Sequence, residues 1–213
     1  IEVLHICISN SNGGAAIATN RLNHLMNRSD EISSNMLVLV KHKDDDFVVT
    51  VSKFKALLSR VYLLLDRVTW FNKNKEFGLF SHSFIGQDIS NHNLVKNADV
   101  VYLHWINNGF LSINVINQLF EMNKKVIVFC HDMWFFTGGC HYSHGCLKYQ
   151  TECNNCHFFS NKFLSNTPKY NFNRKLRIFQ KHPNLAVIAP SSLWVESAKS
   201  SAIFLTAVGK SGY

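Results

Sequence analysis

Short apolar runs alternate with helix-patterned segments along this chain, and few architectures accommodate that order. The runs at residues 2–9 (EVLHICIS), 35–40, 100–104 (VVYLH), 126–130 (VIVFC) and 185–189 (LAVIA) carry little internal polarity. A parallel strand covered by helices on both faces has that composition, because neither face meets water. Between them, residues 15–27 place Ala18, Leu22, Leu25 and Met26 on one helical face. Residues 112–123, 174–181 and 193–200 also read as helices. The alternation predicts an α/β fold: a Rossmann-like parallel sheet with helices on both faces, forming one domain over residues 1–213. Hydrophobic residues make up 46% of the chain, enough to fill such a core.

Residues 53–71 (KFKALLSRVYLLLDRVTWF) depart from that plan. Phe54, Leu57, Leu58, Val61, Leu64, Leu65 and Val68 follow helical spacing, and Lys55, Arg60 and Arg67 lie off the stripe. Such a helix either packs its stripe on the sheet or rests as a basic amphipathic helix on a membrane surface. No run of apolar residues is long enough to span a bilayer. The first residues lack a basic leader and a small-residue cleavage site, so they read as a strand rather than a signal peptide. The net charge of +8 reads either as a plain basic surface or as a preference for anionic partners. With no arginine-rich arm and no RNA-binding signature, nucleic acid is the weakest of these, and acidic lipid or phosphorylated substrates remain.

Candidate site residues fall at strand ends. After the first strand comes Ser9-Asn10-Ser11-Asn12-Gly13-Gly14, then a helix. Two glycines there make either a plain tight turn or a loop whose backbone approaches an anion at the helix N-terminus. Two further strand ends read His104-Trp105 and His131-Asp132. In a parallel sheet all three share the carboxyl edge, where α/β folds bind ligands. A lone histidine is more often structural, but two beside a glycine turn favour a site, with the imidazoles bonding a sugar hydroxyl or phosphate.

Cys7 and Cys130 lie in apolar strands and read as buried thiols. Cys140, Cys146, Cys153 and Cys156 are spaced C-x5-C-x6-C-x2-C. They are either reduced thiols, a redox pair, or the ligands of a structural zinc, with His141, His144 and His157 as spare ligands, that staples an otherwise structureless loop over residues 135–169. A cytosolic location with reduced thiols fits better than a disulfide framework.

The stretches ADVVYLHWINNGFLS and VIVFCHDMWFFTGGCHYSHGCLKYQTECNNC, with SNGGAA earlier and VIAPSSLWVESAKSS later, resemble bacterial glycosyltransferases of family 4. These matches cover most of residues 1–201; residues 41–84 carry little of the likeness. The resemblance implies the acceptor-side, N-terminal domain of a retaining GT-B enzyme of cell-surface polysaccharide synthesis. It implies a nucleotide-sugar donor, a glycan or lipid-linked acceptor, no cofactor for the chemistry, and a cytoplasmic place that includes the inner membrane surface. It matches Gly13 and Gly14 to the loop near the donor phosphate and acceptor, and His131 to a histidine that reaches the transferred sugar. His104, Trp105 and Asp132 are neighbours of that site by position. The family's nucleotide-sugar domain, with its paired glutamates, has no counterpart in these residues, so the chain alone is expected to be inactive. The rival expectation is a non-catalytic, zinc-stapled module that binds a glycan or membrane.

Overall fold

In a computed structural model of the protein, residues 1–67, 78–161, 164–182 and 185–205 are described. Six strands form one parallel sheet in the order β3-β2-β1-β4-β5-β6. They are β1 (Glu2–Ser9), β2 (Ser33–Val40), β3 (Val48–Thr50), β4 (Val100–Leu103), β5 (Lys125–Phe129) and β6 (Ala186–Ile188). The helices are α1 (Gly14–Met26), α2 (Lys53–Arg67), α3 (Asn93–Asn97), α4 (Ile113–Glu121), α5 (Thr167–Gln180) and α6 (Ser192–Ser200). The expected α/β architecture is therefore present. The chain divides into two compact units, residues 1–63 with 83–129, and residues 64–82 with 130–213.

The central strands are buried because their sequences are apolar on both faces. Leu4, Ile6, Met36, Leu37, Val38, Val101, Leu103 and Val128 all lie in the core. β1 pairs with β2 from Glu2↔Ser33 to Ser9↔Val40 and with β4 from Val3↔Val100 to Ile6↔Leu103. Helix starts carry the side chains that satisfy free N–H groups. Ser112 accepts from Val115 N at α4, and Ser191 accepts from Trp194 N at α6.

Two helices sit differently from expectation. On α1 the buried residues are Ala16, Thr19 and Asn23, while Leu25 is exposed and Ala18 faces solvent. The reason is polar: Ser34 Oγ donates to Asn23 Oδ1 (2.7 Å), and Asn27 binds both the N–H and the carbonyl of Ser34 (2.8 and 2.7 Å). These bonds fix which face of α1 meets β2. On α2 the only buried residue is Ser59. Gln87 Nε2 donates to Lys55 O (2.9 Å) and Ser59 Oγ (3.0 Å). A side chain at Gly109, whose φ is +73°, would meet Ser59 O at 2.3 Å. The small polar face of α2 thus docks on a glycine, and the apolar stripe points outward: Phe54 is 69% exposed and Leu64 64%, with Leu57, Val61 and Leu65 also exposed. The stripe does not pack on the sheet. The helix ends at Arg67; residues 68–71 of the expected helix lie outside the described residues.

The 135–169 loop is more ordered than expected. It contains 3₁₀ turns at Trp134–Phe136, Lys148–Gln150 and Leu164–Asn166, and α5 begins at Thr167. Phe80 pairs with Cys140 in an isolated antiparallel bridge. Phe80, Phe158 and Phe159 form a small core of their own, with Cys140, Cys156 and Leu164 packed against it. Aromatic burial supplies the order that the loop's lack of regular elements would otherwise deny it.

Candidate functional site

β1, β4 and β5 run parallel, so their carboxyl ends share one edge of the sheet. At the end of β1, Gly13 takes φ +90° and caps α1 with no side-chain hydrogen bond. Gly13 and Gly14 are exposed, and a Cβ at either would find no atom within 4 Å. The first N–H groups of α1 have no partner within the helix, so this turn leaves open space for an anion there. Along α1 runs a cleft of about 430 Å³ lined by Asn10, Asn20, Arg21, His24, Arg28 and Lys43, among others. That volume falls within the range of small-ligand sites. His24 is tied to Asp45 at 2.7 Å, whose carboxyl is held below its ordinary value by hydrogen bonds from His24, Phe47 N and Asn20 that outweigh its burial. Arg21, Arg28 and Lys43 give the cleft a cationic lining.

At the end of β4, His104 is 1% exposed. Its Nε2 shares a hydrogen bond with His5 Nδ1 at 3.0 Å, and its ring stacks on Phe129. Burial pulls the His5 imidazole down to about 4, which keeps that ring neutral in the interior. The pair is part of the sheet core. Trp105 is half-buried and packs on Cys7, Ala16, Met36, Val38 and Val48. The partner His5 was readable only as a polar letter inside an apolar strand.

After β5, His131 is half-buried and Asp132 is buried. Burial draws the His131 imidazole down to about 4, against the pull of the Asp132 charge. A neutral imidazole can donate one hydrogen bond and accept another at the same time. Asp132 is engaged internally: it accepts from Trp134 N (2.8 Å) and lies 2.6 Å from His141 Nδ1. His141 Nε2 in turn stands 3.0 Å from Ser81 Oγ. This Ser81–His141–Asp132 chain has the distances of a nucleophilic triad, but Ser81 is 2% exposed and His141 1%. It acts as a lock between residues 79–82 and the Cys-rich loop. Ser81 carried no sequence signal, because its partner His141 is sixty residues away in the chain.

Cys140, Cys146, Cys153 and Cys156 all line one small cavity of about 20 Å³, together with Phe80, Gly138 and Phe158. All six cysteines are free thiols. Burial pushes the thiols of Cys140 up to about 12 and Cys156 to about 11, and raises Cys153 further. Gly138 N donates to Cys153 Sγ at 3.2 Å. Among the described residues no three His, Cys, Asp or Glu side chains already stand where they could hold a metal ion. Beside the thiols, Lys175 of α5 is fully buried, with Nζ donating to the carbonyls of Trp134 and Thr137 and lying 3.6 Å from the Trp134 ring centre. Lys175 occupies a core position of α5 between Phe172 and Phe179, a charge inside an apolar stripe that was legible but unread.

Among the described residues no helix is long and apolar enough to cross a membrane. No family model, curated protein or solved structure matches the chain.

Proposed function

We propose that the chain is the acceptor-side half of a retaining glycosyltransferase that moves a sugar from a nucleotide-sugar to a glycan or lipid-linked acceptor in cell-surface polysaccharide synthesis. The observation that carries this reading is the cationic cleft along α1, which reaches Asn10 and Ser11 after the carboxyl end of β1. Sites at that edge of an α/β sheet suit phosphorylated ligands. Cations of that cleft, Arg21, Arg28 and Lys43, would hold the phosphate of a lipid-linked acceptor. His131, neutral at physiological pH, would donate to a hydroxyl of the transferred sugar. Charge on the departing diphosphate would be met by backbone N–H groups at Gly14 and by a nucleotide-binding half.

The outward stripe of α2 supports a place at a membrane surface. Lys53, Arg60 and Arg67 are exposed beside Phe54, Leu57, Val61, Leu64 and Leu65. Lys55 is drawn inward and donates to Asp88 O. Three exposed cations near an anionic leaflet contribute about 3 kcal/mol, and the apolar stripe adds insertion into the headgroup boundary. The same stripe is what a non-catalytic glycan- or membrane-binding module would use. Transfer separates the two readings. The protein, supplied with a nucleotide-sugar-binding half, a panel of nucleotide-sugars and a polyprenyl-phosphate glycolipid, is expected to give product with the donor's anomeric configuration. His131→Ala is expected to slow it by at least about a hundredfold. Vesicle binding with no transfer from any donor favours the module.

A further inference from the structure

The Cys-rich loop carries chemistry that sugar transfer does not use. We propose that Cys140, Cys146, Cys153 and Cys156 bind one structural zinc ion, which fastens the loop between β5 and α5. Four thiols separated by up to sixteen residues of chain converge on a single cavity of about 20 Å³. That space is near the minimum that admits one water-sized occupant. A hydrophobic core alone does not require four cysteines around one cavity; Phe80, Phe158 and Phe159 already fill the neighbouring volume.

Two features of the surroundings suit a metal-bound cluster. First, a backbone N–H is aimed at sulfur: Gly138 N donates to Cys153 Sγ at 3.2 Å. Gly138 has no room for a side chain, since a Cβ there would meet Pro168 O at 2.6 Å and Cys153 Cβ at 2.9 Å. The glycine lets its amide reach the sulfur. Second, a cation is buried alongside. The hydrogen bonds of Lys175 go to two carbonyl oxygens, which solvate the ammonium but bring no negative charge. The Asp132 carboxylate already favours that charge, and an anionic metal cluster beside it would favour it further. Zinc bound by four thiolates carries a net charge of −2, and Lys175 offsets part of it. Burial makes each bare thiolate costly, and a metal that takes the place of the thiol protons removes that cost. Each coordinated thiol releases one proton to solvent.

Soft, four-thiolate sets choose zinc or iron among common metals, and a closed tetrahedral set suits structural zinc. The thiols ring the cavity rather than already occupying coordinating positions. Binding therefore turns them inward about χ1 to the usual zinc–sulfur distance of about 2.3 Å. The loop has turns close to the cysteines: His144 and Gly145 precede Cys146, and Asn155 precedes Cys156, all with positive φ.

The test uses the 213-residue chain purified without added metal or chelator. Elemental analysis is expected to give about one zinc per chain. The four loop thiols should resist a thiol reagent until a strong chelator is added. Cobalt exchanged for zinc should show the charge-transfer absorption of four thiolates. Lys175→Met should keep that spectrum but lose zinc to a competing chelator at least about tenfold more readily. Zinc below about one in ten chains with all four thiols reacting freely overturns the proposal. So does iron at stoichiometry, or a mass showing that the thiols have paired as disulfides.

Discussion

Gly139→Ala tests whether the Cys-rich loop packs on residues 79–81 as described. Gly139 has φ +142°, and its carbonyl accepts from Ser81 N at 2.9 Å. A Cβ there would stand 2.6 Å from Phe80 Cζ and 2.8 Å from Ser81 O. Phe80 cannot move aside, because it is 0% exposed and packs edge-on against Phe159 at 5.0 Å. Overpacking of a filled core costs about 1–3 kcal/mol, and a non-glycine residue at that φ adds about 1–3 kcal/mol. The sum is about 4 kcal/mol, a fall in Tm of about 8–16 °C for a chain of this size. Gly14→Ala is the matched control: no atom lies within 4 Å of its Cβ, so its stability should stay within about 0.5 kcal/mol of the parent. Urea unfolding followed by circular dichroism measures both. If Gly139→Ala unfolds within about 1 kcal/mol of the parent, the Phe80–Gly139 contact is not made and the loop's placement is wrong.

Acidification should destabilise the sheet through His5. Its folded pKa is about 4 against an ordinary 6.5, so the unfolded chain binds the extra proton between those values and stability falls as pH drops through that window. The loss between pH 7 and pH 5 is about 2 kcal/mol, and a flat urea midpoint over that range would contradict it. Leu57→Glu with Leu64→Glu should abolish sedimentation with anionic vesicles while leaving stability within about 0.5 kcal/mol, since both leucines are exposed; unchanged, salt-insensitive binding would refute the membrane account. Asp132→Asn should destabilise the protein by about 1–3 kcal/mol, because it weakens a buried hydrogen bond chain through His141 to Ser81; unchanged unfolding would show that the chain is not a lock.

The sheet was legible because its strands are nearly pure in apolar residues, and burial on two faces leaves no other composition. β3 and α3 were missed: three and five residues are too few to show a period. The buried face of α1 was misread because asparagine and threonine, paired to Ser34 and to the helix backbone, replaced the leucines that periodicity favours. The amphipathic pattern of α2 was visible, but not which side would be covered; Gly109 and Gln87 decide that from far along the chain. The cysteines pointed to one place, whereas the buried Lys175 beside them is a tertiary fact. His104 looked like a ligand-facing histidine by position, and its partner His5 turns it into core.

The measurement closest to the central claim is an amide NMR titration of the labelled 213-residue chain with a short-chain polyprenyl-phosphate glycolipid. The account predicts saturable shifts at Arg21, Arg28 and Lys43, weakened by Arg21→Ala with Arg28→Ala. Shifts confined to α2, or none in the cleft at saturating ligand, would contradict it.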